Sequence, residues 1–308
     1  GIPMDEFQLI EHFFRQRGKG PGVLVGPGDD AAVLVPTPGQ QLVMTLDTLV
    51  AGRHFPEDVS PFDIGWRSLA VNLSDLAAMG ATPRWCLLSL SLPVADESWL
   101  EGFCEGFYTL AEQSGIVLVG GDTVRGELQI SVQASGEVPA GRALLRSGAR
   151  PGDRIFIGGV PGEAALGLRA WQRGVRQGDT LTPFLRPEPQ LSLGVKLRGM
   201  ASACIDISDG LLADLQHILD ESGGCGASLL LAQLPQSALT RDAEPELRQR
   251  AQLAGGDDYL LLFTLPPMFN APAGCHEIGR ISAQPGLRIQ AADGTLVDVA
   301  ERGWYHFA

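Results

Sequence analysis

Hydrophobic and polar residues follow two alternating patterns along this chain, one typical of amphipathic helices and one typical of strands. The helical pattern is clearest in 60–79 and 96–114, where apolar residues recur every three or four positions. Pro61 stands where the first of these helices is expected to begin, and Gly80 and Gly115 stand where the two are expected to end. The pattern therefore predicts two long helices in the first half of the chain.

Shorter apolar runs lie between the helical segments and predict strands. The expected strands are 42–46, 84–92, 116–119, 127–138, 154–157, 203–207, 227–231 and 259–265, with two or three more in the C-terminal tail. Further helices are expected at 5–17, 162–173, 189–201, 208–222 and 241–254. Strands and helices alternate without a strict doubly wound order. The sequence thus predicts an α+β fold with two domains, each a sheet covered on one face by helices.

Length and a change in composition predict where the two domains meet. A chain of 308 residues is typical of about two domains. The stretch 139–153 is rich in glycine, proline and arginine, which is typical of a domain junction. We therefore expect an N-terminal domain at 4–138, a linker at 139–153 and a C-terminal domain at 154–308.

The charge balance argues against several classes of partner. The chain has 36 acidic and 23 basic residues, a formal net charge of −13. Nucleic acids and anionic membranes bind clustered cations, so neither is an expected partner. No apolar run approaches the roughly 18 residues that a transmembrane helix needs. The five cysteines are widely spaced and lack a zinc-binding pattern, which favours reduced thiols and a cytoplasmic protein.

Aspartate recurs at the ends of predicted strands and in glycine-containing turns. Any one of these residues is adequately explained as a turn or cap residue. Asp47, Asp122 and Asp206, however, follow or lie within apolar runs, where an unpaired carboxylate is costly. Several carboxylates share one cleft only when cations neutralise them, and oxygen ligands without His or Cys favour Mg²⁺, which usually also holds substrate phosphates. The aspartates therefore predict a magnesium-dependent phosphate site. The sequence has no P-loop or dinucleotide-binding motif that would indicate a different kind of phosphate site.

The aspartate motifs resemble, in order, those of the thiamine-monophosphate kinase family, which belongs to the aminoimidazole ribonucleotide synthetase-like superfamily. The similar segments are 28–32, 48–55, 70–80, 120–123, 206–211 and 255–259. The resemblance extends from about residue 5 to the end of the chain. It implies an N-terminal sheet domain that binds metal and ATP and forms a homodimer, and a C-terminal α+β domain. The implied reaction is the ATP-dependent conversion of thiamine monophosphate to thiamine diphosphate.

The resemblance also implies a set of site residues. The positions of the magnesium ligands are Asp30, Thr45, Leu46 through its backbone carbonyl, Asp47, Asp75, Asp122, Asp206 and Asp209. Those of the ATP contacts are Tyr108, Gly121, Asp122, Arg146 and Ser208, and those of the substrate contacts are His54, Asp257 and Trp304. The attacking group would be a phosphate oxygen that is already ionised near neutral pH. We therefore expect phosphoryl transfer in line, with no residue acting as a general base.

Other functions remain open at the level of sequence. Another ATP-dependent enzyme of the superfamily, such as an aminoimidazole ribonucleotide synthetase, would use the same metals. A metal-dependent phosphohydrolase would release phosphate from ATP without thiamine monophosphate, and a metal-binding regulatory protein would form no product. Selenophosphate synthetases and the hydrogenase-maturation dehydratase need a reactive Cys or selenocysteine near one terminus. They are disfavoured because the first cysteine is Cys86 and the chain ends at Ala308 without one.

Overall fold

The computed structural model describes residues 8, 12–14 and 17–299. Most of the helix expected at 5–17, and the candidate substrate contact Trp304, lie outside the described residues. The chain divides into two compact units. The first comprises the chain up to Leu76 with Ala81–Gly141, and the second comprises Ala77–Gly80 with the chain from Arg142.

Between residues 18 and 141 the chain forms six strands and two helices, and the last two residues of the first helix, Ala77 and Ala78, belong to the second unit. The elements are β1 (Val23–Val25), β2 (Val33–Leu34), β3 (Gln40–Val50), α1 (Pro61–Ala78), β4 (Thr82–Leu92), α2 (Glu97–Ser114), β5 (Val117–Arg125) and β6 (Gln129–Pro139). Strands β1 and β2 form a short antiparallel ribbon. The other four form a sheet in the order β3-β6-β4-β5, in which β4 and β5 are parallel and the remaining pairs antiparallel.

Helices α1 and α2 lie where the sequence predicts them, and glycine lets them pack closely. Asp96 caps α2 by accepting a hydrogen bond from the Trp99 N–H at 3.2 Å, and Gly115 ends it with a φ of 78°. A Cβ atom on Gly65 or Gly106 would overlap a backbone carbonyl of the other helix. The two helix backbones therefore approach each other only because these two positions lack a side chain.

The second unit alternates strands and helices. Its elements are β7 (Arg154–Ile157), α3 (Glu163–Gln172), α4 (Thr182–Leu185), α5 (Leu191–Lys196), β8 (Ala203–Asp206), α6 (Leu211–Glu221), β9 (Gly226–Leu230), α7 (Ala238–Asp242), α8 (Pro245–Ala254), β10 (Leu261–Leu265), β11 (His276–Ser282) and β12 (Leu287–Gln290). The strands form one sheet in the order β12-β9-β11-β7-β10-β8. Leu215 and Ile218 of α6 share a buried core with Ile155 and Ile205 of the sheet. The prediction of an α+β fold with sheets and packed helices is confirmed.

Several predicted boundaries are wrong. Strand β3 continues to Val50 because it pairs with β6 along its whole length, and β5 continues to Arg125 because it pairs with β4. Helix α6 begins at Leu211 rather than at 208, and the helix expected at 241–254 is divided into α7 and α8 before Pro245. Among the described helices, none is both long enough and apolar enough to cross a membrane.

The two faces of β3 differ in character. Successive side chains of a strand point to opposite faces of the sheet. Leu42, Met44 and Leu46 point to the open face, where Met44 is 67% and Leu46 65% exposed. Thr45 and Asp47 point to the other face, on which α1 lies. One strand thus combines an exposed apolar row with a polar row next to a helix.

Candidate functional site

The first group of candidate ligands lies between β3 and α1. The Thr45 hydroxyl donates a hydrogen bond to Asp75 Oδ2 at 3.1 Å. Asp75 is half-buried on a helix whose neighbouring residues Leu73 and Leu76 are fully buried. Asp47 follows Thr45 by two residues and therefore shares its face of the sheet. The structure thus brings three predicted magnesium positions to one side of the sheet, all of them with oxygen donors.

Leu46 has no polar side-chain atom and points away from this group. Its side chain lies on the open face of the sheet. Only the backbone carbonyl of Leu46 is available for the role that the family resemblance implies.

The second group of candidate ligands lines a cavity in the first unit. The cavity has a volume of about 640 Å³ and lies against the open face of the sheet. Asp29 and Asp30 line it from the loop after β1, and Gly121 and Asp122 line it from β5. A Cβ atom on Gly121 would overlap the Leu88 carbonyl oxygen, so this part of the wall has no room for a side chain. The cavity is within the usual size range of small-molecule sites, and its largely apolar lining includes these carboxylates.

His54 lies just beyond the end of β3. Its Nδ1 atom accepts a hydrogen bond from the Val50 N–H at 2.9 Å, and the ring is exposed. In the neutral ring this contact assigns the proton to Nε2. His54 therefore presents a donor, rather than a proton acceptor, to any ligand that approaches the exposed side.

Tyr108 is placed in the interior of the first unit rather than on the cavity wall. The residue is 6% exposed, and the Arg17 guanidinium lies 4.4 Å from the centre of its ring. Burial raises the pKa of the Tyr108 hydroxyl, which has no hydrogen-bond partner within the described residues. Among those residues, Tyr108 is not one of the cavity-lining side chains.

Two loops of the second unit carry the remaining candidate ligands and pair with each other. Asp206 ends β8, and the loop that follows contains Ser208 and Asp209. The Ser208 carbonyl accepts the Asp257 N–H at 2.9 Å, and the Ile207 carbonyl accepts the N–H of residue 259 at 2.7 Å. The structure therefore brings the predicted metal and nucleotide positions of this unit next to one predicted substrate contact.

Arg146 is exposed near the start of the second unit. Its backbone carbonyl accepts a hydrogen bond from the Ser222 hydroxyl at 3.2 Å. Its guanidinium is thus available to solvent and to an approaching anion.

Sequence reasoning missed two aspartates that hold these loops. Asp214 accepts three backbone hydrogen bonds from the loop after β8, and burial raises its pKa to about 6. Asp258 caps α3 from a distant part of the chain, since it accepts the Gly162 N–H at 2.9 Å and the Ala164 N–H at 3.4 Å. The sequence indicates the loops in which they act, because both aspartates stand close to a glycine–aspartate motif. Their partners, however, are set by the folded loops.

Asp258 is expected to make the stability of the protein depend on pH. Burial raises the pKa of this carboxyl group to about 8, from 3.8. The folded protein then keeps a proton that the unfolded chain has released, so its free energy of unfolding falls as pH rises from about 4 to about 8, by up to about 1.4 kcal/mol per pH unit. Asp258→Asn keeps an acceptor oxygen for the α3 cap and should flatten this decline in urea unfolding at pH 5, 7 and 8.5.

The matched control for this measurement is Asp220→Asn, at an exposed residue of α6. It should leave the pH dependence of the wild-type protein unchanged. Parallel stability curves for Asp258→Asn and the wild-type protein would contradict the assignment.

Comparison with known proteins identifies related chains. Residues 28–138 match the family model of the AIR synthase related protein, N-terminal domain. The chain is 43% identical to the thiamine-monophosphate kinase of Escherichia coli, over 98% of each chain. It is 37% identical to that of Haemophilus influenzae, over 92% of each.

The solved structures point to the same family. The crystal structure of thiamine-monophosphate kinase from Stenotrophomonas maltophilia matches with a TM-score of 0.86 and 43% identity, over 96% of this chain and 98% of that one. AaThiL complexed with AMPPCP and TMP matches with a TM-score of 0.77 and 29% identity, over 97% of this chain and 98% of that one. Since the similarity to these kinases covers nearly the whole chain at up to 43% identity, the chain belongs to the thiamine-monophosphate kinase family.

Proposed function

We propose that this enzyme transfers the terminal phosphoryl group of ATP to thiamine monophosphate, forming thiamine diphosphate and ADP. The observation that carries the proposal is the contact of Thr45 with Asp75 beside Asp47, a group of oxygen donors in a chain of this kinase family. A relative has been crystallised with AMPPCP and TMP, which supports the same two substrates here.

The residues present fit magnesium. Every side-chain donor in the proposed set is a carboxylate or hydroxyl oxygen, and hard divalent cations such as Mg²⁺ prefer oxygen ligands. We propose three groups of ligands: Thr45, the Leu46 carbonyl, Asp47 and Asp75 on β3 and α1, Asp30 and Asp122 at the cavity, and Asp206 and Asp209 in the second unit. Bound Mg²⁺ would neutralise phosphate oxygens and so reduce the repulsion between the two anionic substrates.

The other proposed contacts orient the substrates. Gly121, Asp122, Arg146, Ser208 and Tyr108 are assigned to ATP, and His54, Asp257 and Trp304 are assigned to thiamine monophosphate. A guanidinium such as that of Arg146 forms bidentate hydrogen bonds with phosphate oxygens. An indole such as that of Trp304 stabilises the cationic thiazolium ring by stacking. For Tyr108, contact with adenine would require Arg17 to leave the ring it covers.

No proton acceptor is needed for this reaction. The attacking phosphate oxygen is ionised near neutral pH, so the chain's residues hold and align two phosphates rather than remove a proton. The Nδ1 atom of His54 already accepts a backbone hydrogen bond, which supports a donor role for this residue.

The decisive assay incubates the protein with ATP, Mg²⁺ and thiamine monophosphate and separates the products by chromatography. We expect one thiamine diphosphate for each ADP, and no ADP when thiamine monophosphate is omitted. Equal ADP and phosphate release with and without thiamine monophosphate would favour a phosphohydrolase and contradict the proposal.

We also propose that the enzyme is a homodimer that pairs through the open face of the first sheet. Leu42, Met44 and Leu46 alternate along β3 on this face, and Leu87 of β4 is exposed on the same side. A contiguous exposed apolar patch is typical of a protein–protein interface.

The five cysteines are unpaired in the structure, which supports the cytoplasm as the compartment.

The dimer proposal predicts the effect of a charge on this face. Met44→Asp would bury a carboxylate in the interface and should shift the protein from dimer to monomer in light scattering, against a chain mass of 32.7 kDa. Leu230→Asp, at an exposed leucine of the second unit, is the control and should leave the mass unchanged. A monomeric wild-type protein, or a Met44→Asp protein with unchanged mass, would contradict the proposal.

A further inference from the structure

The loop between β8 and α6 is held by one buried carboxylate. Asp214 lies in the first turn of α6, and its Oδ2 atom accepts hydrogen bonds from three consecutive backbone N–H groups: Ser208 at 2.9 Å, Asp209 at 3.0 Å and Gly210 at 3.1 Å. The Asp214 residue is 2% exposed. The conformation of this loop is therefore tied to a residue that is itself fixed in a helix.

The start of α6 has no cap side chain that performs this task. The N-cap residue is Gly210, and a Cβ atom there would lie 3.1 Å from the backbone of Ala254. N–H groups at a helix start have no partner within the helix, and burying them unsatisfied is costly. The positive end of the helix dipole also favours a carboxylate at this place. Asp214 thus reaches back from the helix to the N–H groups of the N-cap Gly210 and of the two residues before it, much as the acidic residue of a capping box reaches back to the N-cap N–H.

The loop held by Asp214 supports the second loop, which lies between α8 and β10. The N–H groups of Asp257 and Tyr259 in that loop donate the hydrogen bonds to the Ser208 and Ile207 carbonyls described above. Within it, Asp257 and Tyr259 have φ angles of 65° and 51°. Residues other than glycine keep such left-handed conformations only where their surroundings hold them. The position of Asp257 therefore depends on the loop that Asp214 holds.

We infer that Asp214 is a positioning residue: it shapes the loop that presents Ser208 to the nucleotide and Asp209 to magnesium, and through Ser208 it also positions Asp257. The inference rests on the proposed function. Asp214 itself touches neither substrate in this role. It acts through backbone N–H groups, so the role needs an acceptor oxygen at this position rather than a metal ligand.

Direct ligation is the competing role for the same residue. Asp209, Asp214 and His217 each offer one ligand atom, and these atoms lie within 4.8 Å of one another. Positioning and ligation make opposite predictions for Asp214→Asn. An amide oxygen accepts N–H groups as the carboxylate does, but an amide is a much weaker Mg²⁺ ligand.

The kinetic test compares Asp214→Ala and Asp214→Asn with the wild-type enzyme. Asp214→Ala should raise the KM for ATP and the Mg²⁺ concentration at half-maximal rate by about tenfold or more, as loss of groups that orient metal ligands does. Asp214→Asn should stay within about threefold of the wild type because the loop keeps an acceptor. Asp220→Asn, on the same helix, is the control; its carboxylate is exposed and accepts a hydrogen bond from Gln216.

A second measurement does not depend on activity. Hydrogen exchange of the peptide that spans 206–214, in protein without metal or nucleotide, should be faster in Asp214→Ala and unchanged in Asp220→Asn. If the wild-type protein forms no thiamine diphosphate, the proposed function fails, while hydrogen exchange still tests whether Asp214 holds the loop.

Three results would overturn the inference. The first is an Asp214→Ala enzyme with kinetic constants within about twofold of the wild type. The second is unchanged hydrogen exchange of 206–214 in that variant. The third is an Asp214→Asn enzyme in which the exchange of 206–214 stays slow but the rate no longer responds to Mg²⁺. That result would show that Asp214 binds the metal directly. It distinguishes ligation from positioning even if Asp214→Ala does not fold.

Discussion

Replacing Asp47 with Asn is expected to lower kcat for thiamine diphosphate formation by about 10²- to 10³-fold, the size of effect typical of removing one preorganised electrostatic contact. Asp47 shares a face of β3 with Thr45, whose hydroxyl donates to Asp75 at 3.1 Å. The change removes one negative charge and keeps the side-chain volume. The proposed metal site is therefore weakened, while packing and the unfolding temperature should change little.

The measurement for Asp47→Asn is the steady-state rate as a function of Mg²⁺, with thermal unfolding of the same samples. Because binding follows mass action, a higher Mg²⁺ concentration should restore part of the lost activity. Glu127→Gln makes the same carboxylate-to-amide change at an exposed residue between β5 and β6, and it should match the wild type. Near-normal turnover of Asp47→Asn at modest Mg²⁺ would contradict the metal assignment.

Thiamine in place of thiamine monophosphate is expected to give no measurable phosphorylated product. The hydroxyl of thiamine is neutral and must lose a proton to attack, whereas a phosphate monoester is ionised above its second pKa of about 6. The aspartates of the proposed site are assigned to magnesium, and Nδ1 of His54 already accepts the Val50 N–H, so neither is proposed to take up this proton. The two acceptors therefore differ in a deprotonation step that only thiamine needs.

The check is a direct comparison of the two acceptors at saturating ATP and Mg²⁺. With thiamine monophosphate, the rate should rise with pH through about 6 and then stay level, as expected for ionisation of the acceptor phosphate. Inorganic phosphate released from ATP in the presence of thiamine serves as the control for uncoupled hydrolysis. A second essential ionisation near neutrality that disappears in His54→Gln would show a general base and contradict the mechanism.

The part of the candidate site that could be predicted from the sequence is the set of aspartates that lie in or after apolar runs. Asp47, Asp122 and Asp206 stand out in the sequence because carboxylates are costly in apolar runs. The contact of Thr45 with Asp75 was not predictable in this way, since the two residues are thirty positions apart and meet only when α1 packs on β3. The roles of Asp214 and Asp258 were missed for the same reason, because their partners are backbone groups of folded loops.

The sequence by itself determined the local elements, the fold class and the family. The caps of α2 and the apolar periodicity of α1 act within a few residues, so the positions of these two helices follow from the amino acids alone. Tertiary structure decided the length of β3, the close approach of the helices at Gly65 and Gly106, and the shape of the loop that Asp214 holds. Strand pairing, helix contact and loop capping join distant parts of the chain, and their free energy becomes available only once the fold has brought those parts together.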